Sequence, residues 1–292
     1  VRYLQEKLIY TNEKGLSVEI SHSSLFFLKK VDGLAAIKNI IYTSKGVMQD
    51  GVMATGQSLD MRDISIEGSI NSTEQEETLK HRQELIKVFN PKLKGTLRYE
   101  FGDFIKEIDC KIEIAPTLPY TDATFKNFLI QLICPNPYWK DAAESKEEIA
   151  LWKGVFEFDL ELFQEGIEMG HREPSLIVNV LNNGHVACGM KIEFKALATV
   201  VNPSILNVNT EEYIKINKTM VAGEVLNIST SYGKKKVENV LNGVTSNAFN
   251  YIDFQSTFLQ LDPGDNLLRY NADTGIDNLE VSIYYAPQYL GV

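Results

Sequence analysis

The sequence predicts a mostly β protein of two domains, and three observations support this. Short runs of β-branched and aromatic residues recur along the 292 residues, many with the period-two alternation of a half-buried strand. Turn dipeptides lie between them, Asp32-Gly33, Asn183-Gly184 and Asn242-Gly243 among others. Only one stretch has a strong helical pattern, and the length, with 44% hydrophobic content, is ample for two packed cores.

The first half opens with "SVEISHSSLFFLKKVDGL", β-formers closed by the Asp32-Gly33 turn. An irregular piece follows, "YTSKGVMQDGVMATGQSLDMRD", jointed by Gly46, Gly51 and Gly56. Its Val47, Met48, Val52 and Met53 are unusually apolar for a solvated loop, so it either folds back on its own domain or is covered by another subunit. Alternation resumes in "ISIEGSI", where Ile64, Ile66 and Ile70 share parity. A helix is expected over 73–89: Thr73 and Glu76 have capping-box spacing, acidic residues crowd the first turn, and Leu79, Ile86 and Phe89 fall on one side. Asn90-Pro91 ends it.

Three further strands follow, "GTLRYEF", "IDCKIEI" and "FKNFLIQLIC". In the second, Cys110 keeps phase with Ile108, Ile112 and Ile114 and reads as a small buried hydrophobe. In the third, Phe128, Ile130, Leu132 and Cys134 share a face while Leu129 and Ile133 take the other, which suggests burial on both sides. Pro135 and Pro137 cannot donate to a ladder, so pairing ends there. The boundary falls near residue 140, giving domains 1–140 and 141–292.

The second half is short strands: "GVFEFDLELF", "SLIVNVLNNG", "MKIEFKAL", "EYIKINKT", "EVLNISTSYG", "NYIDF", "STFLQLDPGDNLLRY" and "LEVSIYYAP". Their frequency, with the Asn-Gly turns between them, indicates an antiparallel β-sandwich.

Charge and composition exclude several classes. With 39 acidic and 29 basic residues the formal charge is −10, which opposes a phosphate backbone or an anionic membrane as partner. The basic run Lys234-Lys235-Lys236 reads as a solvated hairpin tip. No apolar stretch approaches the roughly 18 residues of a membrane helix. The first residues lack the build of a signal peptide, so folding in a cytoplasm is expected. Cys110, Cys134 and Cys188 have neither disulfide nor zinc spacing, and His22, His81, His171 and His185 form no close pair. His81 is expected at the helix surface. No metal and no cofactor are expected, since GxSxG, P-loop and GxGxxG patterns are all missing.

The sharpest enzymatic pattern is Glu157, Asp159 and Glu161, three carboxylates that alternation places on one strand face. Such a set can supply a nucleophile and a general acid. It resembles the E-x-D-x-E signature of retaining jelly-roll glucanases, but the Pro-x-x-Gly-Glu lead-in is missing, and charged alternation is ordinary on half-buried strands. Tyr232, Tyr251 and Tyr270 could form a platform for sugar rings, although each also fits an ordinary strand position.

Six segments, in order, carry a family resemblance: "IKVFNP", "GTLRYEFGD", "FLIQLICPNPYWKD", "LNNGHVACGMKIEF", "LDPGDNLLRY" and "VSIYYAPQYLGV". Together they resemble the siphovirus distal tail proteins, tail components of phages and prophages of Gram-positive bacteria. The resemblance implies an N-terminal sandwich- or barrel-like β domain with one helix, related to tail-tube proteins, and a galectin-like C-terminal sandwich. The run from Val200 to Lys218 would then be an elaboration of that sandwich. It also implies a non-enzymatic hub: a hexameric ring of the chain, made in the host cytoplasm and sited at the virion tail tip, joining the tail tube to tip or baseplate proteins. The ring would pass DNA without reading it and would insert in no membrane. Val47, Met48, Val52 and Met53 would form an arm covered by a neighbouring subunit. The alternatives are a cell-wall saccharide-binding module and, third, a glycoside hydrolase using Glu157, Asp159 and Glu161.

Overall fold

The computed structural model describes residues 6–118, 126–149, 152–153, 171–172 and 176–292. The chain divides into two compact units, Val1–Ala142 with Gln288–Val292, and Ala143–Pro287.

Unit 1 contains β1 (Glu6–Asn12), β2 (Ser17–Ser21), β3 (Phe26–Asp32), β4 (Asn39–Ser44), β5 (Met53–Leu59), β6 (Arg62–Ile70), α1 (Gln75–Val88), β7 (Lys94–Phe101), β8 (Phe104–Thr117), β9 (Asn127–Cys134) and β10 (Trp139–Asp141). Seven strands close a barrel in the order β8-β7-β1-β2-β3-β6-β9, with β9 returning to β8. The pairings are antiparallel except that of β2 with β3. Ser24 makes this short parallel crossing possible: its hydroxyl accepts from the Ser21 N–H at 3.0 Å and donates to the Phe26 carbonyl at 2.7 Å.

Alternation fills the barrel. Ile64, Ile66 and Ile70 of β6 meet Phe128, Ile130, Leu132 and Cys134 of β9 and Ile108, Cys110 and Ile112 of β8 in one core. Leu129 and Ile133 are half-buried on the other face of β9. Ile114 departs from the expected phase: the β8–β9 register shifts between Ile112 and Ile114, and Ile114 turns to solvent.

The helix also differs from its sequence pattern. It spans Gln75–Val88 with Glu74 as N-cap and no side-chain cap, so the Thr73/Glu76 box does not form. Its entry is held instead by Thr78, whose hydroxyl bonds the Glu74 carbonyl at 2.9 Å and the Ser72 hydroxyl at 2.5 Å. Thr78, Leu85, Val88 and the following Phe89 face the core, whereas Leu79 and Ile86 are exposed. The buried stripe follows Thr78, because Phe89 must stack on Tyr10, their ring centres 4.2 Å apart. His81 is half-buried, edge-on to Phe26.

Unit 2 contains β11 (Ser145–Ile149), β12 (Trp152–Lys153), β13 (His171–Arg172), β14 (Ile177–Asn182), β15 (Cys188–Ala196), β16 (Val200–Val201), β17 (Ser204–Asn207), β18 (Tyr213–Lys215), β19 (Thr219–Met220), β20 (Val225–Ser229), β21 (Lys236–Leu241), β22 (Val244–Asn247), β23 (Gln260–Leu261), β24 (Gly264–Asn271) and β25 (Leu279–Tyr285). A last strand, β26 (Gln288–Tyr289), pairs with β10 in unit 1.

One sheet of unit 2 runs β11-β25-β15-β20-β21-β22, with β23 beside β15, and another runs β14-β24-β17-β18. Ile192, Phe194, Ile228 and Ile283 of the first share a core with Val180, Ile205, Leu268 and Tyr270 of the second. Asn242-Gly243 forms the expected two-residue hairpin turn with φ of 51° and 77°. Asn183-Gly184 closes no hairpin, because β14 and β15 belong to different sheets. The run from Val200 to Lys218 supplies β17 and β18 to the four-stranded sheet. "NYIDF" is no strand: Phe249–Tyr251 is a 3₁₀ turn.

Buried amides and a phenol pin three of the quoted segments to one end of this sandwich. Asn182 donates to the carbonyls of Val186 (3.1 Å) and Leu261 (2.9 Å). Asn266 donates to those of Asp262 (2.8 Å) and Gly264 (3.0 Å), and the Tyr285 hydroxyl donates to Leu181 at 3.1 Å.

Among the described residues Glu224 is the buried carboxylate of this unit. Burial alone would raise its pKa, but hydrogen bonds from the Lys218 ammonium and the Val221 N–H (2.9 Å) outweigh it, and the pKa lies below the ordinary glutamate range. A depressed folded-state pKa adds stability above the unfolded value of about 4.3, and that stability is lost as pH falls through the folded value. Glu224→Gln should therefore lower the stability of unit 2 by about 1–3 kcal/mol at neutral pH and flatten its acid dependence. Urea unfolding at neutral and acidic pH checks this; a midpoint that follows the native chain at both contradicts it.

Candidate assembly interface

Between β3 and β6, which pair with each other, the chain leaves the barrel and returns as a two-stranded ribbon. The stretch that reads as irregular from its glycines is β4 paired with β5, Asn39 opposite Leu59 and Ser44 opposite Met53, with a register shift after Tyr42. Tyr42 stiffens it, its hydroxyl 3.0 Å from that of Ser58 and its carbonyl accepting from the Thr55 hydroxyl at 3.2 Å. At the tip the Gln49 side chain accepts from the Gly46 N–H at 3.1 Å, and Met48 adopts a left-handed φ of 60°.

Among the described residues the ribbon pairs with no other strand, and both its faces are open to solvent. Val47 is 97% and Met48 100% exposed, with Val52 and Met53 behind them. Ile41 and Tyr42, consecutive on β4 and so on its two faces, are exposed as well. These two were missed from sequence, although the β-branched alternation of "NIIYTS" opposite "MATGQSL" could have signalled a strand pair.

The root is as rigid as the tip is bare. Arg62, the first residue of β6, is 1% exposed. Its Nη1 donates to the carbonyls of Gly33 (2.8 Å), Leu34 (2.9 Å) and Ala36 (3.0 Å) on the outgoing chain, and its Nε to Pro137 (2.9 Å). Nη2 donates to Leu290 of the C-terminal segment. Burial lowers the pKa of the guanidinium below its ordinary value. Gly33 takes φ 91°, and a Cβ there would stand 2.0 Å from the Asp63 carbonyl oxygen, so the chain can enter the arm only with glycine. Trp139 is fully buried beside this root and donates its indole N–H to Leu34 at 3.0 Å. Next to it Lys106 is buried against Asp141 and the Tyr289 ring, and the Tyr289 hydroxyl donates to Asp141 at 3.1 Å.

Residues 13–134 match the family described as phage tail protein RIFT-related domain, and residues 183–289 match siphovirus-type tail component, C-terminal domain. The chain belongs to the siphovirus-type tail component family. As such it is a structural, non-enzymatic part of a phage tail tip. Its fold is similar to that of SPP1 Dit, whose structure is titled a paradigm of the hub adsorption apparatus in Gram-positive infecting phages; the TM-score is 0.69 at 12% identity over 96% of this chain and 98% of that one. Chains of the phage p2 baseplate in its activated conformation also match over the full length of both chains at 11% identity, with TM-scores of 0.58 (with Sr) and 0.57 (with Ca). No curated protein sequence matches the chain.

For this tail component the other sequence candidates separate. Tyr270 is a core residue at 1% exposure, whereas Tyr232 is exposed and Tyr251 partly so, and the three form no platform. Glu157, Asp159 and Glu161 lie outside the described residues. Among the described residues no group of three His, Cys, Asp or Glu side chains could hold a metal ion, and no helix is long and apolar enough to cross a membrane. The three cysteines are buried; burial pushes the thiols of Cys134 and Cys188 up to about 12 and that of Cys110 higher still.

Arg62→Met should destabilise unit 1 by at least about 3 kcal/mol, because it strands several buried carbonyls at once. Guanidinium unfolding of the variant checks this, and a loss below about 1 kcal/mol would show that the carbonyls find other partners.

Proposed function

We propose that the chain is the ring-forming hub at the distal end of a siphovirus tail, a hexamer that joins the tail tube to tip or baseplate proteins. In this reading the β4–β5 arm of each copy lies on its neighbour. The bare ribbon carries the proposal: an isolated two-stranded hairpin is marginal in water, yet this one displays Ile41, Tyr42, Val47, Met48, Val52 and Met53. A left-handed Met at its tip is a conformation that surrounding contacts normally hold in place. Cover by a second copy explains both, and a head-to-tail contact repeated with the right rotation closes into a ring.

The similar structures, a hub of an adsorption apparatus and a baseplate, agree with this role. So does the formal charge of −10, which suits a passage that DNA crosses without being bound. Such a hub is made in the host cytoplasm and works by geometry, one ring face receiving the tube and the other the tip.

Light scattering over a wide concentration range tests the reading. The native protein should reach about six times the 32.9 kDa of one chain. Met48→Asp should shift assembly by at least about 2 kcal/mol per interface with an unchanged circular dichroism spectrum. A native chain that stays monomeric throughout, or a variant that assembles like it, contradicts the arm-mediated ring.

A further inference from the structure

Two side chains, not one, bond the buried Glu224 carboxylate in unit 2. The Lys218 ammonium donates to its Oε1, the Val221 N–H donates to its Oε2 at 2.9 Å, and the Asn239 carboxamide donates to it as well. The fold brings the three together. Leu226 stands opposite Asn239 in the β20–β21 ladder, so the two side chains share the inward face, and Glu224, two residues before Leu226, is the diagonal neighbour of Asn239 on that face. Lys218 immediately precedes β19, with its ammonium 3.5 Å from the Thr219 carbonyl and 5.9 Å from the Tyr251 ring. Met220, Leu226 and Val237, each two residues from a member of the trio, are buried in the core. The Asn239 Oδ1 is buried and accepts no hydrogen bond among the described residues. Buried polar atoms nearly always have a partner, and a merely structural bridge to Glu224 leaves this oxygen unexplained. Two nitrogens that bond one carboxylate lie roughly 4–6 Å apart, the span of two ordinary hydrogen bonds. One rotamer change then brings an amine to the roughly 3–3.5 Å at which it can attack.

We propose that Lys218 and Asn239 join in an intramolecular isopeptide bond, with Glu224 as the catalytic base and acid. Lys218 passes one proton to Glu224, and its neutral amine attacks Cγ of Asn239. Half a turn of the carboxamide presents Oδ1 to the protonated Glu224, which becomes the donor that this oxygen lacks and polarises the carbonyl. The Nζ–Cγ bond forms and the Cγ–Nδ2 bond breaks. Glu224 relays the second proton of the attacking nitrogen to Nδ2, and ammonia departs as ammonium with the first, which restores the carboxylate. No oxidant, reductant or further reactant is needed. At rest the pair is ionic and the first transfer is uphill, so the reaction is slow, but it has to occur only once in each chain. The bond ties the β16–β19 ribbon, through Lys218, to β21 of the larger sheet, so β21 cannot separate from the sandwich without breaking an amide. The proposal does not rest on the ring.

Mass spectrometry of the purified full chain, denatured before measurement, tests this. The native chain should be lighter than its sequence requires by one ammonia molecule, and a proteolytic digest should contain a branched peptide joining Lys218 to Asn239. Lys218→Arg keeps a cation on Glu224 but supplies no nucleophile, so it should restore the full mass, and Glu224→Gln should do the same. Asn239→Asp should lose water in place of ammonia, an outcome that a purely structural asparagine would not give. Full sequence mass in the native chain overturns the proposal and leaves an ion pair bridged by an asparagine. An ammonia loss that persists in Lys218→Arg also overturns it, since a succinimide at Asn242-Gly243 would lose the same mass without a branched peptide. A branched peptide that still forms in Glu224→Gln overturns the role of Glu224 as base and acid.

Discussion

The Arg62 guanidinium holds three separate stretches of chain to one point: the way out to the arm at Gly33, Leu34 and Ala36, the end of the barrel at Pro137, and the C-terminal segment at Leu290. No carboxylate among the described residues pairs with it, so its desolvation is offset by carbonyl dipoles alone. Backbone carbonyls in irregular segments would otherwise be buried without donors. One planar group with five N–H donors satisfies both needs, which neither lysine nor an apolar residue could do.

That clamp explains why a bare ribbon can project from a closed barrel. The barrel has paired its own strands and offers the arm no edge to join, so the arm's orientation is fixed only at its root. The chain enters unit 2 after β10 and returns as β26 beside it, and the Lys106, Asp141 and Tyr289 contacts fix the two crossings together. The root of the arm is therefore set by a buried charged side chain beside the buried Trp139.

Much of this was legible in the sequence because strand burial has a period of two. The inward sets of β6, β8 and β9 follow directly from Ile64, Cys110 and Phe128 with their alternate neighbours. What failed were places where a tertiary partner overrode a local pattern. Phe89 rotated the helix stripe away from Leu79 and Ile86, a register shift turned Ile114 outward, and the Asn183-Gly184 turn signal proved to be a passage between sheets. The arm was half legible: apolar residues between glycines marked Val47, Met48, Val52 and Met53, but the glycines concealed the ladder. Arg62 gave no signal at all, since nothing local distinguishes a buried arginine from a surface one.

Hydrogen exchange of the backbone amides from Asn39 to Leu59 tests most directly whether a neighbour covers the arm. Measured at concentrations above and below assembly, those amides should slow by at least about tenfold in the assembled protein, while the barrel strands change little. Equal exchange of the arm in both states, with assembly verified in the same samples, would contradict it.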